Sequence, residues 1–259
     1  MIWSGFSAVK RSIHQVWLIH TGENMTKSLK PMILALETAT ICGSVALVTE
    51  NRCIAEFSLQ TGETHSRRLL AGIDWLLQEA GIEMSAIDAV AVSLGPGSFT
   101  GLRIGLATAK GLAMAAGAKL MGVGTLDGLA AQFSAAANVL ICPVLDARKK
   151  EVYCGFYRCD NQGIPRLQGE YQVVSPEALC ERIDEPVVLL GDGSVVYDHL
   201  FREKLAGLLR MVPPGIYFPR AATIGLLALV KWQKDGFLDP VTAEPIYIRA
   251  SEAELLFKK

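Results

Sequence analysis

The run Leu94-Gly-Pro-Gly-Ser-Phe-Thr-Gly-Leu-Arg-Ile-Gly105 follows an apolar stretch, residues 88–93, that has the composition of a buried strand, and it leads directly into a helical pattern. Three glycines, Gly95, Gly97 and Gly101, lie in this strand-to-helix turn and allow the backbone to approach another group closely. That group is either a phosphate at the helix N-terminus or a tightly packed second chain. A strand, a glycine turn and a helix in this order indicate an α/β fold.

The order of predicted elements occurs twice along the chain. From residue 32 a strand ends at Glu37 and is followed by two strands and then by alternating helices and strands to about residue 136. Near residue 139 a strand again leads to an acid, Asp146, and then to a turn, a strand and later helices. We therefore expect a duplicated α/β unit with mixed sheets and a cleft between two lobes. The predicted domains are an N-terminal extension outside the core (1–31), a first lobe (32–137) and a second lobe (138–259), with a return of the tail to the first lobe as one option.

Composition excludes several classes of protein. A net charge of -1 over 259 residues gives no general attraction for nucleic acid. No apolar stretch approaches the ~18 residues that cross a bilayer. The six cysteines contain no Cys-x-x-Cys pair, which favours reduced core thiols and a cytoplasmic protein. No two histidines have the i, i+4 spacing of a helical metal pair, so a metal site and a metallopeptidase lack support.

Two acids mark where a nucleotide would bind if this were a phosphotransferase. In two-lobed phosphotransfer folds, an acid at the end of the first strand of each lobe holds a metal, and glycines after it wrap the phosphates. Here Glu37 is followed by Thr-Ala-Thr and Asp146 by Ala-Arg-Lys-Lys, which add side chains where backbone N–H groups would converge. Glu37 is either a structural acid or a metal–water ligand, and Asp146 either caps its turn or belongs to a site. We expect no catalytic residue and no tightly bound cofactor in a degenerate cleft formed by Glu37, Asp146, Gly95 and Gly97.

Two predicted helices indicate a partner. Helix 66–81 has an apolar stripe that is expected to pack on the sheet, and a tryptophan on the opposite face, where such residues anchor interfaces. Helix 102–117 is apolar nearly all round, so we expect a neighbouring molecule to cover its outer side. The predicted stripe consists of Leu69, Leu70, Ile73, Leu76, Leu77 and Ala80, and the predicted partner interface of Arg68, Ala71, Gly72, Trp75, Glu79, Arg103, Gly105, Ala109 and Leu112.

Five segments, in the right order over residues 32 to about 250, resemble those of the TsaB family, also called YeaZ. The glycine run and the downstream Asp-Ala-Arg block are the specific ones, whereas the first strand alone would be weak. The segments are Ile33-Leu-Ala-Leu-Glu-Thr-Ala-Thr40, Glu63-Thr-His-Ser-Arg-Arg-Leu-Leu70, Gly95-Pro-Gly-Ser-Phe-Thr-Gly-Leu-Arg-Ile-Gly105, Leu145-Asp-Ala-Arg-Lys-Lys-Glu-Val-Tyr153 and Glu244-Pro-Ile-Tyr-Ile-Arg249.

The resemblance implies a two-lobed actin/Hsp70-like fold (ASKHA, ribonuclease H-like) and a role in bacterial tRNA modification. TsaB pairs with the catalytic subunit TsaD and works with the ATPase TsaE to place threonylcarbamoyl on N6 of the adenosine beside the anticodon. The resemblance thus implies a non-catalytic scaffold subunit that uses ATP and magnesium only through its partners and meets tRNA through the complex. A homodimer is an option for the isolated chain. TsaD-type subunits carry a His-x-x-x-His metal pair, which this sequence lacks. The alternative function is an actin-like small-molecule kinase, which intact phosphate-loop glycines would have favoured.

Overall fold

The computed structural model describes residues 30–50, 52–60, 65–133, 139–161, 163–210, 212 and 217–249. The extension predicted over residues 1–31 lies almost wholly outside the described residues. None of the helices within these ranges is long and apolar enough to span a membrane.

The first sheet has five strands in the order β3-β2-β1-β4-β5. The first three strands form an antiparallel meander, as the sequence predicts, and β1, β4 and β5 run parallel. Strands β1 and β4 are continuous apolar runs because helices cover both faces of the sheet, so neither face can alternate with polar residues. The strands are β1 (Ile33–Glu37), β2 (Cys42–Thr49), β3 (Arg52–Gln60), β4 (Ala89–Gly95) and β5 (Lys119–Gly124).

The second sheet repeats this topology. Its main path is β10-β7-β6-β11-β12, in which β6 and β7 are antiparallel and β6, β11 and β12 run parallel. Strand β6 thus occupies the place of β1, and β11 the place of β4, so the predicted duplication is confirmed. Strands β8 and β9 extend this sheet beside β6. The strands are β6 (Leu140–Arg148), β7 (Glu151–Cys154), β8 (Tyr157–Cys159), β9 (Pro165–Leu167), β10 (Gln172–Val174), β11 (Val187–Leu190) and β12 (Leu209–Arg210).

Two long helices cover one face of the first sheet. Helix α1 (His65–Ala80) packs Leu69, Ile73 and Leu76 on this face, and helix α2 (Phe99–Ala116) adds Leu106 to the same apolar core. Helix α2 begins after Ser98, whose hydroxyl accepts a hydrogen bond from the Gly101 amide. It ends at Gly117, which adopts the left-handed conformation that favours glycine at a helix C-terminus (φ 64°).

The last helix of each half packs against the other half. Helix α3 (Thr125–Ala130), which follows the first sheet, packs Leu126 and Leu129 against residues of β6 and β11. Helix α7 (Ala221–Trp232) follows the second sheet and covers the second face of the first. Small residues on that face, among them Ala35, allow close approach, and a Cβ at Gly225 would lie 2.5 Å from Val48 Cγ2. The remaining helices are α4 (Pro176–Cys180), α5 (Asp192–Val196) and α6 (Asp198–Leu205).

Candidate functional site

We call residues 95–101, which contain the three glycines, the glycine loop. Another turn of the same chain packs against this loop. Residues 38–40, which follow β1, lie against the start of α2, and the Ser98 amide donates to the Ala39 carbonyl oxygen (2.7 Å). The Thr38 hydroxyl donates to the Gly101 carbonyl oxygen (2.8 Å). A Cβ at Gly97 would lie 2.5 Å from the Ala39 oxygen, and one at Gly101 would overlap the Thr38 oxygen. The group that Gly97 and Gly101 approach is therefore this turn of the same chain, and not the phosphate or second chain expected from their spacing.

Gly95 serves a different contact. It has a φ of 121°, in the region that favours glycine, and a Cβ there would lie 2.7 Å from the carbonyl oxygen of Ile246. The Ile246 amide donates to the Leu94 carbonyl oxygen (2.8 Å). The C-terminal part of the chain therefore passes directly over the loop.

Glu37 is fully buried at the end of β1. Its Oε1 accepts a hydrogen bond from the Ala39 amide (2.6 Å), so the carboxyl caps the turn that fills the glycine loop. Its Oε2, the hydroxyl of the neighbouring Ser93 and the Thr125 hydroxyl are buried without a hydrogen bond of ordinary geometry to the described residues. Burial raises the pKa of Glu37 from 4.5 to about 7, and the Ala39 amide and nearby Ser93 oppose part of that shift. The Glu37 carboxyl therefore titrates near neutral pH.

Asp146 stabilises the hairpin between β6 and β7. Its Oδ1 accepts from the Arg148 amide (2.9 Å), and its Oδ2 lies 3.2 Å from Arg148 Nη1. Its own amide donates to Asp192 Oδ1 (3.0 Å). A Cβ at Gly191 would overlap the Val144 carbonyl oxygen, so this half of the chain also packs on itself where a phosphate loop would open.

Helix α1 exposes two large apolar side chains among polar ones. Trp75 is 51% exposed and Leu70 57% exposed, and Ala71 and Glu79 are also exposed. Leu70 was expected in the buried stripe, which is wrong because the buried side is centred on Leu69, Ile73 and Leu76. Gly72 was expected in the interface, but it is buried, and a Cβ there would lie 3.3 Å from the Phe57 ring. Arg68 is half-buried and lines a small pocket beneath the helix.

Helix α2 places several predicted interface residues inside. The assignment of Gly105 and Ala109 to the partner surface is corrected by the structure. Ala109 has no exposed surface, and a Cβ at Gly105 would overlap the Thr38 hydroxyl. Leu112 is half-buried against the same core. The outward side carries Met114, which is 71% exposed, with exposed alanines and a glycine around it. We define the outer helix face as Leu70, Ala71, Trp75, Ala107, Gly111 and Met114.

Arg103, also predicted at the interface, is exposed but engaged within the chain. Its Nε donates to the Tyr247 hydroxyl (3.1 Å), and its guanidinium carbon lies 4.8 Å from the Phe99 ring centroid. The Phe99 and Tyr247 rings stack with centroids 4.1 Å apart. Two residues further on, Arg249 pairs with Glu151 (2.7 Å) at the start of β7.

We call residues 238–249 the strap. It begins where Leu238 pairs with Leu120 of the first sheet, and it ends where Arg249 Nη2 donates to the Ala147 carbonyl oxygen of β6 (2.9 Å). The strap thus joins both sheets across the glycine loop. Residues 244–249 are recognisable in the sequence only through the family resemblance, because the partners of the Tyr247 stacking and of the Arg249 ion pair lie more than 90 residues away.

Two copies of one mixed sheet, each contacted by the other's last helix, define the class of this fold. It is the two-lobed actin-like (ASKHA) class, here with its first hairpin turn packed into its own glycine loop.

Comparison with known proteins narrows the class to a family. The family model described as TsaD, tRNA N6-adenosine threonylcarbamoyltransferase, matches residues 59–256. The tRNA threonylcarbamoyladenosine biosynthesis protein TsaB of Escherichia coli K12 is 34% identical over 227 residues, which cover 85% of this chain and 96% of that protein. The Bacillus subtilis protein of the same name is 29% identical over 226 residues, 86% of this chain and 96% of that protein. The structure of YeaZ from Pseudomonas aeruginosa superposes with a TM-score of 0.73 at 32% identity and covers 84% of this chain and 100% of that one. The chain belongs to the TsaB (YeaZ) family.

Proposed function

We propose that this protein is a non-catalytic scaffold subunit required for N6-threonylcarbamoyladenosine modification of tRNA at the adenosine beside the anticodon. The names of the TsaB relatives support the pathway. The outer helix face is the observation that carries the scaffold role, because Leu70 and Trp75 of α1 and Met114 of α2 are exposed on two helices that cover the same sheet face. Large apolar side chains exposed on a protein's surface are typical of a protein–protein interface.

The partner we propose for the outer helix face is a TsaD-like catalytic subunit. The transferase family model matches most of this chain, so such a partner has a similar domain and can present the equivalent pair of helices. Two related helix pairs then pack with approximate two-fold symmetry, and Ala107 and Gly111 permit close approach. The same symmetry makes a homodimer the alternative arrangement for the isolated chain. In this proposal a TsaE-like ATPase joins the complex in the cytoplasm, and tRNA is reached through the complex.

We propose that ATP and magnesium act through the partner subunits and not in this chain's cleft. Residues 38–40 pack into the glycine loop, and one carboxylate oxygen of Glu37 already accepts a hydrogen bond from the Ala39 amide. A phosphate would have to displace this turn from the start of α2. Calorimetry of the isolated chain with ATP and magnesium should therefore give at best weak binding. Sub-micromolar affinity, or ATP hydrolysis that Glu37→Ala abolishes, would favour the kinase alternative.

Depletion and complementation test the function. Depletion of the protein should lower the N6-threonylcarbamoyladenosine content of bulk tRNA, measured by mass spectrometry of nucleosides. Wild type and Glu37→Gln should restore the modification, because the proposal gives Glu37 no catalytic step. Trp75→Ala/Met114→Arg should fail to restore it and should no longer co-purify with the transferase subunit. If depletion leaves the modification unchanged, the proposed function is wrong. If the double variant restores the modification fully, the outer helix face is not the surface that binds the transferase subunit.

A further inference from the structure

The turn between β6 and β7 holds residues that its backbone disfavours. Arg148 pairs with Glu151, so Lys149 and Lys150 form a two-residue hairpin turn. Residues 148, 149 and 150 have φ values of 63°, 54° and 62°. Hairpin turns in which both central residues have positive φ strongly favour Asn-Gly, because Cβ crowds the following carbonyl oxygen in the left-handed region, which glycine avoids and asparagine offsets by local hydrogen bonds. Two lysines in these positions are a local conflict between sequence and backbone, and such conflicts concentrate at functional sites.

The same turn concentrates positive charge. All three residues are exposed, with the Arg148 side chain 78% accessible. Of the nearby acids, Asp146 is half-buried and pairs with Arg148, and Glu151 pairs with Arg249 of the strap. Lys150 takes part in none of the hydrogen bonds or ion pairs found within the described residues. A chain with a net charge of -1 thus carries a cationic projection at one end of its second sheet.

The chemistry of this projection fits phosphate better than protein. Protein interfaces are anchored mainly by tryptophan, tyrosine and arginine side chains in pockets. Residues 146 to 151, Asp-Ala-Arg-Lys-Lys-Glu, contain no aromatic side chain, and their one arginine, Arg148, already pairs with Asp146. Lysines on flexible stems act as point charges, which suit the closely spaced phosphates of a nucleic-acid backbone without reading its sequence.

We propose that the hairpin tip Arg148-Lys149-Lys150 binds the phosphate backbone of folded RNA. The inference rests on the proposed function for the identity of that RNA, a tRNA substrate, and it adds a direct contact by this subunit. The binding is electrostatic, so it weakens steeply with salt.

Replacing the turn by its preferred residues separates binding from folding. Lys149→Asn/Lys150→Gly suits the positive φ values, so its melting temperature should equal or exceed that of wild type. The probe is an unmodified transcript of a tRNA with adenosine beside the anticodon, bound to the full chain alone and mixed with the transferase subunit. Fluorescence anisotropy should show roughly tenfold weaker binding near 0.1 M salt, and a log–log salt slope smaller by about 1–2.

Two matched variants control for charge and geometry. Lys149→Arg/Lys150→Arg keeps both charges and should bind as wild type does. Lys204→Asn/Lys234→Asn removes the same charge from exposed positions in α6 and just after α7, and it should leave binding unchanged. If Lys204→Asn/Lys234→Asn weakens binding as much as the hairpin variant does, RNA binding depends on the net charge of the protein and not on the hairpin, and the inference is wrong.

Three further results would overturn the inference that the hairpin binds RNA. No measurable RNA binding by wild type in either setting, or equal binding by Lys149→Asn/Lys150→Gly, overturns the inference. So does a hairpin variant that loses affinity for polyglutamate but keeps affinity for the transcript, because the site is then one for acidic protein. The modification assay is run in parallel: if modification depends on the chain while hairpin variants bind RNA normally, the inference fails alone. If modification does not depend on the chain, the proposed function fails.

Discussion

At the residue scale, two glycines of α2 differ in what surrounds them. A Cβ at Gly101 would overlap the Thr38 carbonyl oxygen, whereas nothing lies within 4 Å of a Cβ at Gly111. Gly101→Ala should push the turn at residues 38–40 off the helix and destabilise the fold by about 1–3 kcal/mol. Gly111→Ala should stabilise it by about 0.5–1 kcal/mol, because alanine is favoured in a helix interior. Thermal unfolding of both variants checks this, and equal melting temperatures would contradict the packing of the loop.

Glu37 makes stability depend on pH. Its pKa is raised to about 7 in the folded chain from 4.5, so the protonated carboxyl favours the fold. That contribution is complete below about pH 4.5 and is lost as pH rises through 7. The loss between pH 5 and 8 is on the order of 2–3 kcal/mol. Glu37→Gln should remove this dependence, because its amide keeps an acceptor for Ala39 and carries no charge. Denaturant unfolding of wild type and Glu37→Gln across this pH range measures the free energy of unfolding. If it changes with pH equally in both proteins, Glu37 is not the group responsible.

At the scale of elements, the two sides of α2 should respond oppositely to charge. Ala109→Arg places a long cation in the core under the helix, so the isolated chain should fail to fold or lose several kcal/mol of stability. Met114→Arg lies on the outer helix face and should leave the melting temperature within about 2 °C, while it abolishes association with the partner. Circular dichroism and size-exclusion chromatography with the transferase subunit measure both. A folded Ala109→Arg chain would show that the inward side has been assigned incorrectly.

The sequence predicts where the helices and strands begin and end better than it predicts which side of each is buried. Apolar runs ended by glycine or an acid mark β1, β4 and α2 within a few residues, and the repeat of that order predicts the second sheet. A helical wheel fails on α2 because it cannot rank alanine and glycine: Gly105 faces inward since only a residue without Cβ fits over Thr38. The strand predicted after the Asp146 turn is interrupted: β7 ends at Cys154, and Tyr157 of β8 resumes the pairing on the same edge of β6, at Ile141.

The candidate site was predictable only in part. The residues after Glu37 and Asp146 indicate that the phosphate-wrapping glycines are absent, which follows from residue type alone. That the glycine loop instead receives the turn at residues 38–40 depends on contacts between segments some 60 residues apart, which no local pattern reports. The exposure of Leu70 and Met114 likewise depends on how the helices lie on the sheet.

At the scale of the whole molecule, the two sheets are joined by exchanged helices and by the strap. Helices α3 and α7 bury apolar side chains in the opposite half, so they hold the halves together throughout the folded state. The strap adds polar and aromatic contacts at the edge: Tyr247 stacks on Phe99 of the first half, and Arg249 binds Glu151 and Ala147 of the second. Since the pair of Arg249 and Glu151 is partly exposed, its own contribution is modest. The strap should therefore restrain local opening more than it sets global stability.

Removing both contacts of the strap tests this division. Tyr247→Ala/Arg249→Ala should lower the melting temperature by only a few degrees, since roughly 1 kcal/mol corresponds to 2–4 °C in a chain of this size. Hydrogen exchange should accelerate at residues 94–101 and 146–151, which the strap contacts, and stay slow in the buried strands β1 and β4. Val241→Ala is the matched control, because that side chain lies in the strap but is 85% exposed. If exchange at both contact segments stays at the wild-type rate, the exchanged helices alone join the halves and the strap restrains neither.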